Sequence, residues 1–306
     1  MANREQPMQP KVSVITPVYK SEQYIEETLS SLAEQDYSNV EFILVDDCGG
    51  DGSVDICEYF SEQDSRFVLL RHTENRGASA GYNTGIEYAL GNGSEYIMFL
   101  DNDDIAEPNL VSSAVELITR TGTDIAAFSF NCFRLNDNAN GTSKIYDRIP
   151  TDTIINPREN PLPLLMGNSP WCKIRRANLL REHRDIRFQE TRGLYFGDIS
   201  FWTKEIYYAE RFVYMDIRLV NYRVTPTNTT NTIADYSAYL PEFYEVRNFL
   251  SAHNAHGTPF AKTNFQKTLF TLDLEYSTRQ FSDDIRTQFK AEIDKYVDTE
   301  KALGNC

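Results

Sequence analysis

The sequence predicts an α/β fold: a doubly wound sheet built from strand-helix-strand units, followed by a C-terminal helical extension. Three observations carry this. Short, nearly all-apolar runs alternate with amphipathic stretches over the first 130 residues, as strands buried on both faces and their covering helices do. Three of the first four strand ends, DDCGGDGS, RHTENRG and DNDD, carry Asp, Asn or Gly, at the edge where ligands of such sheets bind. From about residue 235 the strand signal gives way to helical periodicity.

VSVITPV (12–18) is the first strand, and a helical pattern over about 21–35 follows it. VEFILV (40–45), FVLL (67–70), YIMFL (96–100) and DIAAFSF (124–130) continue the series, with helices at roughly 53–63, 78–90 and 107–120. Strict alternation implies parallel pairing. After residue 130 the regularity breaks. SFNCFRLNDNANGTSKIYDRI (129–149) reads as a hairpin with its turn at Asn140 and Gly141. A loop through Pro157, Pro161, Pro163 and Pro170 leads to a helix near 174–184. FGDISFWTKEIYYA (196–209) reads as a helix with Asp198 in its first turn, and a strand pair, FVYMD (212–216) and LVNYRV (219–224), follows. The closing helices are YLPEFYEVRNFLSA (239–252), FAKTNFQKTLFTLDLEY (260–276) and DIRTQFKAEIDKYV (284–297).

With 306 residues and 41% hydrophobic side chains, the chain has room for one large domain, or one domain plus an extension. A formal charge of −15 argues against a nucleic-acid partner and against a generic electrostatic membrane anchor. The basic cluster Lys173, Arg175, Arg176, Arg181 and Arg184 reads as a solvated helix face or a diphosphate contact. No stretch approaches the ~20 apolar residues of a membrane span, and MANREQPMQP lacks the apolar core of a signal peptide. Cys48, Cys57, Cys132, Cys172 and Cys306 show no CxxC spacing, which suits reduced thiols and a cytoplasmic location.

The chemistry concentrates at strand ends. In YIMFLDNDD (96–104), Asp101 and Asp103 project to one side as the strand leaves the sheet, because strand side chains alternate. Two like charges there repel, which makes sense if a hard divalent cation with phosphate co-ligands lies between them and an anionic substrate. A solvated turn is the alternative. Asp46 and Asp47 repeat the pattern in DDCGGDGS, whose glycines also suit a tight turn before a capped helix.

In this order and spacing, VSVITPVY, EFILVDDCGGDGS, ENRGASAGYNTGI, FLDNDD, PWCKIRR and GDISF resemble glycosyltransferase family 2 over about residues 11 to 225. The resemblance implies a GT-A fold, Rossmann-like and doubly wound with a mixed sheet, and inverting transfer from a nucleotide-diphosphate sugar. It divides the chain into a tail (1–10), a nucleotide-sugar-binding part (11–130), an acceptor-binding part of the same domain (131–232) and the helical extension (233–306). It also implies roles by position. Pro17 and Tyr19 would line the base pocket, and Asp47 would accept from the base imide N–H, which favours uracil. Asn83 and Asn102 would join the donor site, Asp101 would contact the ribose or the metal, and Asp103 would hold Mn²⁺ or Mg²⁺. Asp198 would be the general base, with Trp171 and Lys173 facing the acceptor.

This chain departs from the family pattern at Gly197, where an acidic residue usually precedes the base, and at Tyr82, a common Arg position. Lys20 replaces a frequent Asn, Gly49 a frequent Ser, and no His follows Tyr222 and Arg223. The implied partners are a UDP-sugar and a glycan or lipid-linked saccharide acceptor of bacterial surface polysaccharide synthesis. Two roles fit the aromatic C-terminal helices: peripheral docking at the inner membrane face, and homodimer formation. The rival readings are a sugar-nucleotide-binding module without turnover and a nucleotidyltransferase, the latter disfavoured because PVYKSEQ has no glycine. A dinucleotide oxidoreductase lacks its GxGxxG after the first strand.

Overall fold

The computed structural model describes residues 9–133, 141–144, 148–190, 197–225, 240–279 and 281–306, with backbone alone for 141–144. The first half alternates as the periodicity requires: β1 (Val12–Val18), α1 (Ile25–Ala33), β2 (Val40–Asp46), α2 (Ser53–Gln63), β3 (Phe67–Arg71), α3 (Ala78–Gly91) and β4 (Tyr96–Phe99). β1 and β4 are buried at every position, as are the first six residues of β2. β2 and β4 flank β1, all parallel, with β3 outside β2. The chain thus winds outward to β3 and returns to the other side of β1, which opens a crevice beyond the ends of β1 and β4. Helix α3 lies hard against β1, and its glycines make that possible. A Cβ on Gly85 would sit 2.3 Å from Ile15 Cγ2, and one on Gly81 2.9 Å from Pro17 Cβ.

Beyond β4 come β5 (Ile105–Ala106), α4 (Leu110–Thr121), β6 (Ile125–Phe133), β7 (Gly141–Lys144), β8 (Lys173–Arg176), α5 (Ala177–Glu182), α6 (Asp198–Tyr208) and β9 (Phe212–Arg223). They extend the sheet to the order β3-β2-β1-β4-β8-β6-β9-β5, with β7 on β6. The sheet is mixed, because β8 runs antiparallel to both β4 and β6. β7 pairs antiparallel with β6, as a hairpin requires, while Asn140 lies outside the described residues.

Two elements differ from the sequence reading. The helix near 174–184 is confined to α5, and its first half is β8. Lys173 and Arg175 recur with the period of a strand, and both are fully buried. Arg175 Nε meets Glu205 Oε1 of α6 at 2.5 Å, and its guanidinium lies 4.4 Å from the Phe99 ring centroid. The basic cluster is therefore partly internal. The strand pair after α6 is a single twelve-residue strand, β9, whose pairing with β6 slips between Met215 and Val220. These bulges absorb the irregularity that reads as a turn in the sequence, and Asp216 is held there by Ser129 Oγ at 2.7 Å.

The C-terminal helices α7 (Leu240–Ala252), α8 (Pro259–Thr278) and α9 (Asp283–Ala302) complete the chain. α7 packs on α6, while α8 packs on the turn at Leu162–Leu165 and on α9. Thr258 and Ser282 cap α8 and α9 by accepting from Ala261 N and Ile285 N. Among the described residues, no helix is long and apolar enough to cross a membrane.

Candidate active site

The turn after β4 carries Asp101, Asn102, Asp103 and Asp104. One carboxylate oxygen from each of the three aspartates lies within 4.8 Å of the others. Burial raises Asp101 to about 7, helped by the charges of Asp103 and Asp198, while the Tyr82 hydroxyl opposes the rise. Burial also raises Asp103, with the Arg223 guanidinium opposing, and raises Asp104 well above the usual carboxylate range. Asp104 is wholly buried; its Oδ1 accepts from Arg223 N at 2.9 Å, and its Oδ2 has no hydrogen-bond partner. Three crowded oxygens and one orphaned buried oxygen form a hard donor set that suits Mg²⁺ or Mn²⁺. Asp104, which the sequence presents only as part of the turn, belongs to this cluster.

Two side chains brace the turn. Tyr82 of α3 donates its O–H to Asp101 Oδ1, and its ring stacks on Phe188 at 4.7 Å. Where relatives commonly carry an arginine, this chain thus has a neutral donor to the same cluster. Arg223, at the end of β9, donates from Nε to Asp103 O at 2.7 Å. Its guanidinium lies between the Tyr24 and Phe133 rings, 4.9 and 4.7 Å from their centroids.

At the end of β1, Pro17 is buried against Gly81, and Tyr19 stands 42% exposed. Gly49 approaches the backbone here: a Cβ would lie 2.8 Å from Lys20 N, so the serine common in relatives would require a shift. Asp47 is 1% exposed and already accepts from Arg76 N, Gly77 N and His72 Nδ1 at 2.7–2.8 Å. It fixes the loop that starts α3, with one lone pair on Oδ2 left over. Asn83 is similarly committed. Its amide donates to Phe188 O and Glu190 Oε1 and accepts from Phe188 N, which ties the 188–190 segment to α3.

Asp198 is the first residue of α6 and Gly197 the N-cap. A Cβ on Gly197 would lie 2.6 Å from Ser79 Oγ, so an acidic side chain there would force Ser79 to swing away. Burial raises Asp198, opposed first by Lys267 and then by Lys173, and its Oδ1 is buried without a hydrogen-bond partner. Trp171 is 4% exposed and stacks on Tyr222 at 5.3 Å. Lys173 differs from its sequence reading: it is wholly buried, its ammonium donates to Gly167 O at 3.0 Å and to Ser169 O, and it lies 4.4 Å from the Trp202 ring centroid. It shapes the 167–171 loop from inside the core and has no exposed surface to offer a ligand. Trp202 is likewise fully buried.

Two groups near Asp198 escaped the sequence reading. Glu242 of α7 accepts from Ser200 N at 3.0 Å, and Lys267 of α8 donates to Asn168 Oδ1 at 2.5 Å. The available signal was faint: α8 buries the polar Asn264 and Thr268 alongside Phe260, Phe265 and Leu272.

A family model described as Glycosyl transferase family 2 matches residues 13–184. Glycosyltransferase GlyA of Streptococcus pneumoniae is 30% identical over 224 residues, which are 70% of this chain and 30% of GlyA. The chain therefore spans under a third of that relative. TarS 1–349 of S. aureus, solved with UDP-GlcNAc, superposes with TM-score 0.62 at 22% identity, over 94% of this chain and 72% of that one. A mannosyltransferase of Pyrobaculum calidifontis, solved with GDP-Man and Mn²⁺, gives TM-score 0.55 at 16% identity, over 97% and 88%. At such identities the likeness concerns the fold, which is GT-A. Because the family model covers more than half of the 306 residues, this chain belongs to glycosyl transferase family 2.

Proposed function

We propose that the chain is a metal-dependent inverting glycosyltransferase that moves a hexose or N-acetylhexosamine from a UDP-sugar to a hydroxyl of a glycan or lipid-linked acceptor. Bacterial surface polysaccharide synthesis is the setting that the relatives' names favour, with the protein in the cytoplasm or peripheral at the inner membrane face. The observation that carries the reading is the packing of Asp101, Asp103 and Asp104 at the sheet's switch point.

Asp101 and Asp103 would hold a divalent cation, with an Asp104 oxygen within the same cluster. Bound there, Mn²⁺ or Mg²⁺ would supply positive charge to the departing diphosphate. Tyr82 and Arg223 keep the turn in place. Tyr19 would offer its exposed ring to the base, with the remaining Asp47 lone pair as acceptor for an imide N–H and Pro17 in the same strand end. Asn102 is half-buried between the metal-binding aspartates, on the donor side. Asn83 acts by fixing the 188–190 segment, and Trp171 contributes through its stack on Tyr222. The acceptor oxygen attacks the anomeric carbon, the bond to the diphosphate oxygen breaks, and the hydroxyl proton passes to Asp198.

UDP release from a panel of UDP-sugars, with and without Mn²⁺, tests this reading. Turnover should require the cation, and Asp198→Asn should lower kcat by about a hundred- to ten-thousand-fold while UDP binding persists. Unchanged turnover in Asp198→Asn would sink the base assignment. Pyrophosphate release from a nucleoside triphosphate would favour a nucleotidyltransferase instead.

A further inference from the structure

We propose that His72, just after β3, is the positioning residue that fixes the Asp47 carboxylate for recognition of the nucleobase, with Thr84 of α3 as its outer anchor. The inference rests on the reading of Asp47 as the acceptor for a uracil imide N–H.

Three elements meet in one buried line of side chains. His72 Nδ1 lies 2.7 Å from Asp47 Oδ1, and His72 Nε2 lies 2.9 Å from Thr84 Oγ1. Only 5% of the His72 side chain and 2% of the Asp47 side chain are exposed. A carboxylate only accepts, so Nδ1 carries the hydrogen and donates it to Asp47. The Thr84 hydroxyl, which can both donate and accept, completes the far side of the ring. Each partner is held by the framework. His72 N donates to Asp46 O at 2.9 Å, Asp47 N donates to Val18 O at 2.9 Å, and α3 is seated on β1 through Gly81 and Gly85. The imidazole therefore carries the rigidity of the sheet and of α3 to the carboxylate.

The count of lone pairs gives this contact its consequence. Oδ1 takes His72 Nδ1 and Arg76 N, and Oδ2 takes Gly77 N, so one acceptor position remains, on Oδ2. Arg76 and Gly77 belong to the loop before α3, whereas His72 donates from the end of a sheet strand. Without the imidazole, Oδ1 regains a free lone pair and the carboxylate is freer to turn, so an incoming N–H no longer meets one fixed acceptor. The exposed Tyr19 ring stands close by: a Cβ on Gly49, two residues after Asp47, would lie 3.6 Å from Tyr19 Cδ2. A purely structural histidine would tie β3 to α3 and leave discrimination between bases untouched.

The test compares wild type, His72→Phe, His72→Asn and Thr84→Val as full chains. The readout is the ratio of two affinities measured by calorimetry with Mn²⁺ present: UDP, and N3-methyl-UDP, in which a methyl group replaces the imide hydrogen. Wild type should prefer UDP, and His72→Phe should cut that preference about tenfold by weakening UDP alone. His72→Asn places an amide nitrogen near the position of Nδ1 and should restore the preference. Thr84→Val keeps the shape, removes the outer anchor and should lower the ratio several-fold, which keeps the test open if His72→Phe does not fold. An unmoved ratio in the folded variants, or equal weakening of both ligands, overturns the proposal. Equal binding of the two ligands by wild type would instead show that the Asp47 reading itself had failed.

Discussion

At the scale of single residues, the site is a balance of buried charges that each need a partner. Tyr82 illustrates this. Among the described residues its hydroxyl is the side-chain donor opposing the rise of Asp101, and the buried ring is held by Phe188 and by Phe99, 5.0 Å away. Tyr82→Phe keeps the packing and removes the donor. Hydrogen bonds to charged groups contribute about 1.5–3 kcal/mol, so Asp101 should ionise at higher pH. Mn²⁺ affinity near neutral pH should then weaken roughly tenfold or more, a change measurable by titrating the cation in the presence of UDP. Equal affinity in the two proteins would remove Tyr82 from the site. This role was hidden in the sequence because it depends on where a helix places a hydroxyl, whereas Asp101 and Asp103 announce themselves by charge and spacing alone.

At the scale of elements, β8 shows why a pattern can mislead. Four residues with three long cations suit an exposed helix by composition, yet two of those cations are fully buried. What decides the matter is a vacancy between β4 and β6 that a strand fills on both edges, and the Glu205 carboxylate of α6 facing it. Burial raises Glu205, while Arg175 is the strongest charge opposing that rise. Removing one member of a buried pair strands the other, at a cost of about 3–5 kcal/mol. Glu205→Ala should therefore lower the urea midpoint with little change in slope, and Arg175→Met combined with Glu205→Leu should recover most of the loss. If Glu205→Ala melts like wild type, the pair does not hold β8 on α6. The parallel half, β1 to β4, was legible because its apolar runs are long and its helices regular. The mixed half was not, because β8 and β9 take their conformation from neighbours remote in sequence.

At the scale of the whole molecule, the acidic groups gathered around the cleft couple stability to pH. Burial raises Glu242 from 4.5 to about 7, with Asp198 adding to the rise and the Ser200 hydrogen bonds and Lys204 opposing it. Between those values the unfolded chain has released a proton that the folded chain still holds. Stability from this group thus falls as pH rises from 4.5 to 7 and then levels. Glu242→Gln keeps an acceptor for Ser200 N and has nothing to ionise. Relative to wild type, it should gain stability as pH rises from 5 to 8, by roughly 3 kcal/mol at most. Thermal melts at a series of pH values measure this, and a constant difference across the range would refute it.

Local sequence by itself determined the parallel core, the carboxylates at its strand ends and the family, because apolar periodicity and clustered charge are properties of neighbouring residues. Only the tertiary structure decided the mixed half of the sheet, the burial of Lys173 and the engagement of Asp47 and Asn83. It also brought Tyr82 to Asp101 and Glu242 to the first turn of α6. Those outcomes depend on packing between segments up to about a hundred positions apart, where burial sets the energy of a charge and no local pattern encodes it.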